Sequence, residues 1–210
     1  MKKRVILEIV CAIIIFIVGY FVGDSAAINR VNKSLNSANS NQASSTKSDD
    51  NSNTDNSEQK QKKSDAKVYK LGNEGTSDGW AIKVLDVKEA TTIPSGDGSD
   101  NKTTQQKFIV IKLQMTNVSQ AAAQYDDSEF ILANNKDQKQ YQIDSDASLT
   151  ANQVETIYKK NSNFFLSIDN VNPNMPKQTY MIFEVPKNFN LQNGVLAHTG
   201  NNQISWFYLK

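Results

Sequence analysis

Cysteine is nearly missing from this chain: of 210 residues, Cys11 alone carries a thiol. No disulfide can close within one copy, and everything after Cys11 lacks both a thiol nucleophile and a thiolate metal ligand. Histidine is as scarce, with His198 standing alone. Serine-type triads and most zinc sites need an imidazole framed by partners of matched spacing. Nothing in the sequence frames His198, which reads as an ordinary surface histidine at a strand end near "TGNN". An excess of one charge is also missing, because 23 Lys and Arg face 22 Asp and Glu, for a formal net charge of +1. Without a dense basic stripe, general nucleic-acid binding is not expected.

What is present falls into three regimes. Lys2, Lys3 and Arg4 precede an apolar run from Val5 to Gly23 that is broken only by Glu8. As a helix this run reaches roughly 28 Å, close to the ~30 Å of a hydrocarbon core. The basic residues before it and Asp24 after it favour a cytoplasmic N-terminus. Residues 1–23 are therefore expected to form a transmembrane helix, a signal that also anchors. That places the protein in the cell membrane as a single-pass chain with an extracellular C-terminal domain. A cleavable signal is the rival, since Ser25-Ala26-Ala27 offers small residues to a peptidase and a cut after Ala27 would release a secreted product. Lipoprotein signals put the apolar run before the modified cysteine, whereas here most of it follows Cys11. A packing role in the helix and reversible acylation are the two readings of that thiol.

Residues 24–66 hold no aromatic residue and are dominated by Ser, Asn, Asp, Lys and Gln. Such a composition cannot bury enough apolar surface to offset its ordering entropy, so a disordered linker is expected. As flexible coil it spans roughly 35 Å root-mean-square.

From residue 67 to 210 the pattern changes to period two, in short runs rich in β-branched and aromatic residues with Gly, Asn, Asp or Pro between them. Strands are predicted at 68–71, 80–88, 107–116, 129–133, 140–143, 164–168, 179–185, 194–198 and 203–209. In "KFIVIKLQMTN", Ile109, Ile111, Leu113 and Met115 share the face expected to meet the core. In "TYMIFEVP", Met181, Phe183 and Val185 alternate with Tyr180, Ile182 and Glu184 before Pro186 ends the strand. "TANQVETIYKK" predicts one short helix with Thr150 as N-cap. "TTIPSGDGSDNKTTQQ" reads as a long polar loop. Many short strands without regular helix alternation predict an all-β fold, an antiparallel β-sandwich.

Four blocks in order, "YKLGNEGTSDGWAIKVLDVKEA", "KFIVIKLQMTNVSQ", "SEFILANNKDQKQYQ" and "NVNPNMPKQTYMIFEVPKNF", resemble a bacterial, Gram-positive surface and lipoprotein family catalogued as a domain of unknown function. The resemblance covers about residues 67–190. It rests most on Tyr69-x-Leu71-Gly72, on Thr116-Asn117 and on Phe183-Glu184-Val185-Pro186 after an Asn-Pro turn. Asn174 stands where that family usually has glycine, and asparagine is the residue that next best tolerates positive φ. The family is similar to the immunoglobulin-like sandwich of a mycobacterial immunoprotective extracellular antigen. The resemblance thus implies an immunoglobulin-like sandwich on an exported protein, and it supplies no catalytic residues.

Few residues offer chemistry. Asp126, Asp127, Glu129, Asp144 and Asp146 lie near strand ends, where a convergent pair would serve a carboxylate-dependent hydrolase. The same residues are otherwise charged turns. Asp97, Asp100 and Asn101 in "GDGSDN" form a candidate calcium loop, without EF-hand spacing. Trp206 and Tyr208 share one face of "QISWFYLK", with Phe207 and Leu209 on the other; with Trp80 they are either core residues or a ligand-binding surface. No resident cofactor is expected. The leading expectation is a non-catalytic, membrane-anchored extracellular binding module of the cell envelope, whose partners are the membrane and an envelope or protein ligand. The alternative is a surface hydrolase acting on envelope polymers.

Overall fold

The computed structural model describes residues 66–200 and 203–210. The expected membrane helix and all but the last residue of the expected linker lie outside them. Among the described residues no helix is long and apolar enough to cross a membrane.

Nine strands form two sheets. They are β1 (Lys67–Tyr69), β2 (Glu74–Ser77), β3 (Trp80–Ile93), β4 (Lys102–Asn117), β5 (Phe130–Asn134), β6 (Gln140–Gln142), β7 (Pro176–Val185), β8 (Gly194–Gly200) and β9 (Gln203–Tyr208). One sheet has the order β1-β9-β8-β5-β6 and the other β2-β3-β4-β7. All pairings are antiparallel except β1 with β9. The expected sandwich is present.

The alternation that predicts β4 also fills the core. Ile109, Ile111, Leu113 and Met115 have zero exposure and meet Phe130, Leu132 and Phe207 from the opposite sheet. Complete burial of one such side chain stabilises by about 1.5–3 kcal/mol. In β3, Val84 and Val87 both face inward although three positions apart, because the register against β4 skips Leu85. That bulge restores the inward phase which strict alternation would lose.

Three expectations need correction. The segment 91–106 is mostly the two arms of the β3–β4 hairpin, in which Ile93 still pairs with Lys102; only the tip is loop, and Gly96 lies so close to the Tyr158 ring that an added Cβ would overlap it. The helix, α1, spans Ser145–Gln153 rather than starting at Thr150, because Asp144 caps it by accepting the Ala147 N–H at 2.9 Å. One π-helical turn, Val154–Tyr158, follows. Residues 164–168 are not a strand: only Phe164 makes a lone parallel bridge, to Gln178.

Helix α1 covers the outer face of the four-stranded sheet. There Ile93, Phe108, Ala147 and Ile182 form a second buried cluster. The helix also closes the open edge of β7. Asn152 accepts the Tyr180 N–H at 2.8 Å and donates to its carbonyl at 2.9 Å, Ser148 accepts the Ile182 N–H, and the Asp144 N–H reaches the Ile182 carbonyl. Gln178 is satisfied by the backbone of Asn163 and Phe165. Three successive outward-facing positions of an edge strand therefore have no free backbone group.

The residues that carry the family likeness are structural. Gly72 has φ +79° and Asn174 φ +60°, so asparagine does occupy a left-handed position. Asn117, with zero exposure, donates to the carbonyls of Ala121 and Val171, each at 2.7 Å. Its Oδ1 accepts from the N–H and hydroxyl of Ser119 at 2.9 and 2.6 Å. One amide thus ties the loop after β4 to the segment before β7.

Candidate functional site

At the end of the sandwich where the β2–β3 turn and the last residue of β8 lie, three chemistry-bearing side chains meet. Ser77 is the last residue of β2 and points inward. The Asp78-Gly79 turn that follows has φ +43° and +79°, as a two-residue hairpin with matching twist requires. His198 lies on β8 in register with Phe130 of β5, on the same inner face as Leu196, and its ring centroid is 4.5 Å from that of Phe130. Glu129 ends the short 3-10 turn Asp127–Glu129 that leads into β5. Asp126 caps this turn by accepting from the Ser128 N–H at 2.9 Å and the Ser128 hydroxyl at 2.6 Å, and the Thr199 hydroxyl holds the Glu129 carbonyl at 3.1 Å.

The His198 Nδ1 is 2.8 Å from the Ser77 hydroxyl. Its Nε2 is 3.2 Å from Glu129 Oε2, within contact distance but off the line a hydrogen bond needs, so that nitrogen is buried without a bonded partner. Ser77 and His198 have zero exposure, whereas the Glu129 side chain keeps 31%. Burial pushes the imidazole down to about 4, against the opposing pull of Asp78. Burial, then the like charges of Asp78 and Asp126, push the Glu129 carboxyl up to about 7. At neutral pH the imidazole is uncharged, and the contact is no ion pair.

His198 is therefore not the surface histidine its sequence suggested. The signal was available: His198 stands two places from Leu196, so period two assigns both to one face. The order serine, histidine, carboxylate is that of an acyl-transfer triad, but its exposure is reversed. A nucleophile must meet substrate, and here the hydroxyl is sealed while the carboxylate reaches solvent.

The remaining candidates separate. Trp80, 5% exposed, is a core residue with its ring stacked on Phe165 at 6.3 Å between centroids, so it belongs to no ligand-binding surface. Trp206 and the half-buried Tyr208 lie on the outer face of the five-stranded sheet; the Trp206 ring is buried, and its Nε1 lacks a hydrogen-bond partner. The candidate calcium loop is the hairpin tip, and its oxygens hold the turn. Asp97 Oδ1 accepts from the Ser99 N–H and hydroxyl and the Ser95 hydroxyl, Asn101 Oδ1 accepts the Ser95 N–H, and Asp100 pairs with Lys102. The Ser99 bonds lower the Asp97 carboxyl below its ordinary value. Asp126 and Asp144 are caps, Asp127 accepts from Ser145 at 3.0 Å, and Asp146 is exposed in the first turn of α1. Among the described residues no group of three or more His, Cys, Asp or Glu can hold a metal ion.

A family model described as a domain of unknown function, DUF4352, matches residues 69–193. No curated protein matches the chain. Among solved structures, the chain is similar to an uncharacterized β-sandwich protein from Clostridium difficile 630, with 14% identity and a TM-score of 0.46 over 72% of this chain and 99% of that one. It is similar to the yjhA protein from Bacillus subtilis, with 12% identity and a TM-score of 0.45 over 68% and 99%. It is also similar to the secreted protein MPT63 from Mycobacterium tuberculosis, with 13% identity and a TM-score of 0.44 over 67% and 95%.

Proposed function

We propose, on the premise that this chain belongs to the DUF4352 family of unknown function, that it is a non-catalytic binding module of the bacterial cell envelope. In this reading its N-terminal apolar segment holds it in the membrane and its β-sandwich works outside. One observation carries the non-catalytic part. The single serine–histidine–glutamate constellation among the described residues has its hydroxyl and imidazole at zero exposure, and the aspartates considered for hydrolysis stand in caps and turns. The tethered placement is supported by the basic head, the apolar run and the polar linker of the sequence. Its partner is an envelope component or a protein.

Two measurements test this. Protease added to intact protoplasts should remove the sandwich, and crosslinking on intact cells should capture its partner. Survival of the domain under external protease, or its recovery from the cytosol, overturns the placement. Turnover of wall glycans or peptides by the purified chain, abolished by Asp126→Asn, Asp127→Asn or Ser77→Ala, overturns the non-catalytic reading in favour of a hydrolase.

A further inference from the structure

Three facts constrain the His198 imidazole. It is wholly buried, its Nδ1 has one partner in Ser77, and its Nε2 faces Glu129 Oε2 at 3.2 Å without an aligned bond. A neutral imidazole carries a single N–H, which either nitrogen can hold according to what the other bonds. With the hydrogen on Nδ1, Ser77 accepts it and Nε2 presents a lone pair that a protonated Glu129 can fill. With the hydrogen on Nε2, an ionised Glu129 accepts it and Ser77 turns its hydroxyl to donate to Nδ1. A hydrogen on Nδ1 beside an ionised Glu129 sets two lone pairs against each other, and a hydrogen on Nε2 beside a protonated Glu129 is left with the acid's carbonyl oxygen, a weaker acceptor than the imidazole nitrogen is for the acid O–H.

We propose that Ser77, His198 and Glu129 form a two-position proton switch, in which ionisation of Glu129 moves the imidazole hydrogen from Nδ1 to Nε2 and reverses the Ser77 hydroxyl. The hydrogens balance. The protonated form carries one each on Glu129, Nδ1 and Ser77. One is released to solvent and Nε2 and Ser77 hold the other two, the ring exchanging its own hydrogen between the two nitrogens through water during transient local opening. No bond to carbon changes and no oxidant is needed.

The imidazole stays neutral at both positions, which its burial enforces by pushing it down to about 4. The Glu129 carboxyl, pushed up to about 7, puts the change in the neutral range. Among the described residues two charged groups act on the pair: Asp78 from the β2–β3 turn on both members, and Asp126 from the segment before β5 on Glu129. The flanking strands present uncharged neighbours, Phe130 on β5 and Ser205 on β9. The switch joins the two sheets, since Ser77 belongs to the four-stranded sheet and His198 to the five-stranded one. The charge state of a carboxyl that reaches solvent is therefore felt by a hydroxyl sealed in the opposite sheet.

Because His198 is the sole imidazole of the chain, nitrogen NMR of the untagged full-length protein in detergent micelles reads the switch without ambiguity. Between pH 5 and 9 the ring should stay neutral, its hydrogen on Nδ1 in the acidic range and on Nε2 in the basic range. In Glu129→Gln the tautomer should not change with pH. A ring that forms imidazolium with an ordinary midpoint, a single tautomer at every pH in the wild type, or the same transition in Glu129→Gln would each overturn the proposal. The wild-type titration decides the matter even if the variant fails to fold.

Discussion

Asn117 and His198 are both polar, both sealed at zero exposure, and yet they do different things. Each donor and acceptor of the Asn117 amide is matched to a loop group that cannot ionise. His198 has one nitrogen matched and one left facing a carboxyl that can. The difference lies in what the partner can become. A buried amide whose bonds are all made fixes one conformation, whereas a buried ring beside a titratable group holds two arrangements in reserve.

The comparison can be broken first at Asn117. Asn117→Ala removes four hydrogen bonds, each worth about 0.5–1.5 kcal/mol net, although the Val171 carbonyl keeps the Ala123 N–H and the Ala121 carbonyl keeps the Ser119 hydroxyl. Urea unfolding should show a loss of about 3 kcal/mol, and a loss below about 1 kcal/mol would show that water replaces the amide. A pH series sharpens the contrast. The Glu129 carboxyl is raised, so its contribution is complete below its unfolded value near 4.5 and is lost as pH rises through about 7. The His198 imidazole is lowered, so its contribution is complete above 6.5 and is lost as pH falls toward about 4. Between about 4.5 and 6.5 the folded and unfolded chains each hold one proton on this pair, and wild-type stability should be nearly flat there, apart from other groups. Glu129→Gln removes one side of that balance, so unfolding midpoints should fall as pH drops below about 6.5; a flat profile in the variant would contradict the assignment. The smallest effect is expected at Ser205, the cross-strand neighbour of His198, whose buried hydroxyl has no partner. Ser205→Ala should leave stability unchanged or raise it by up to about 1 kcal/mol, because an unpaired group is removed. A clear loss would mean that the hydroxyl has a partner such as an ordered water.

The sequence was legible wherever large apolar residues alternate. Strands β4, β7, β8 and β9 follow from that pattern, as does the inner face of β4. Strand β2 was missed because its buried positions are Gly75 and Ser77, which carry no hydrophobic signal. The hairpin arms beyond Glu89 were missed for a related reason, since solvent lies over most of their side chains. The helix start was misplaced because two oxygens, on Asp144 and Thr150, can each cap a first turn, and it is Asp144 that accepts the Ala147 N–H. The site was the least legible part. Ser77, Glu129 and His198 are brought together by pairings between distant strands, and no local spacing encodes them.

The clamp that Asp144, Ser148 and Asn152 place on β7 bears on how these molecules coexist at high density. A bare sheet margin is an invitation to a neighbour's backbone, and copies held at high concentration would otherwise knit into continuous ribbons. With that rim already bonded, growth from this side would first require the helix to lift away.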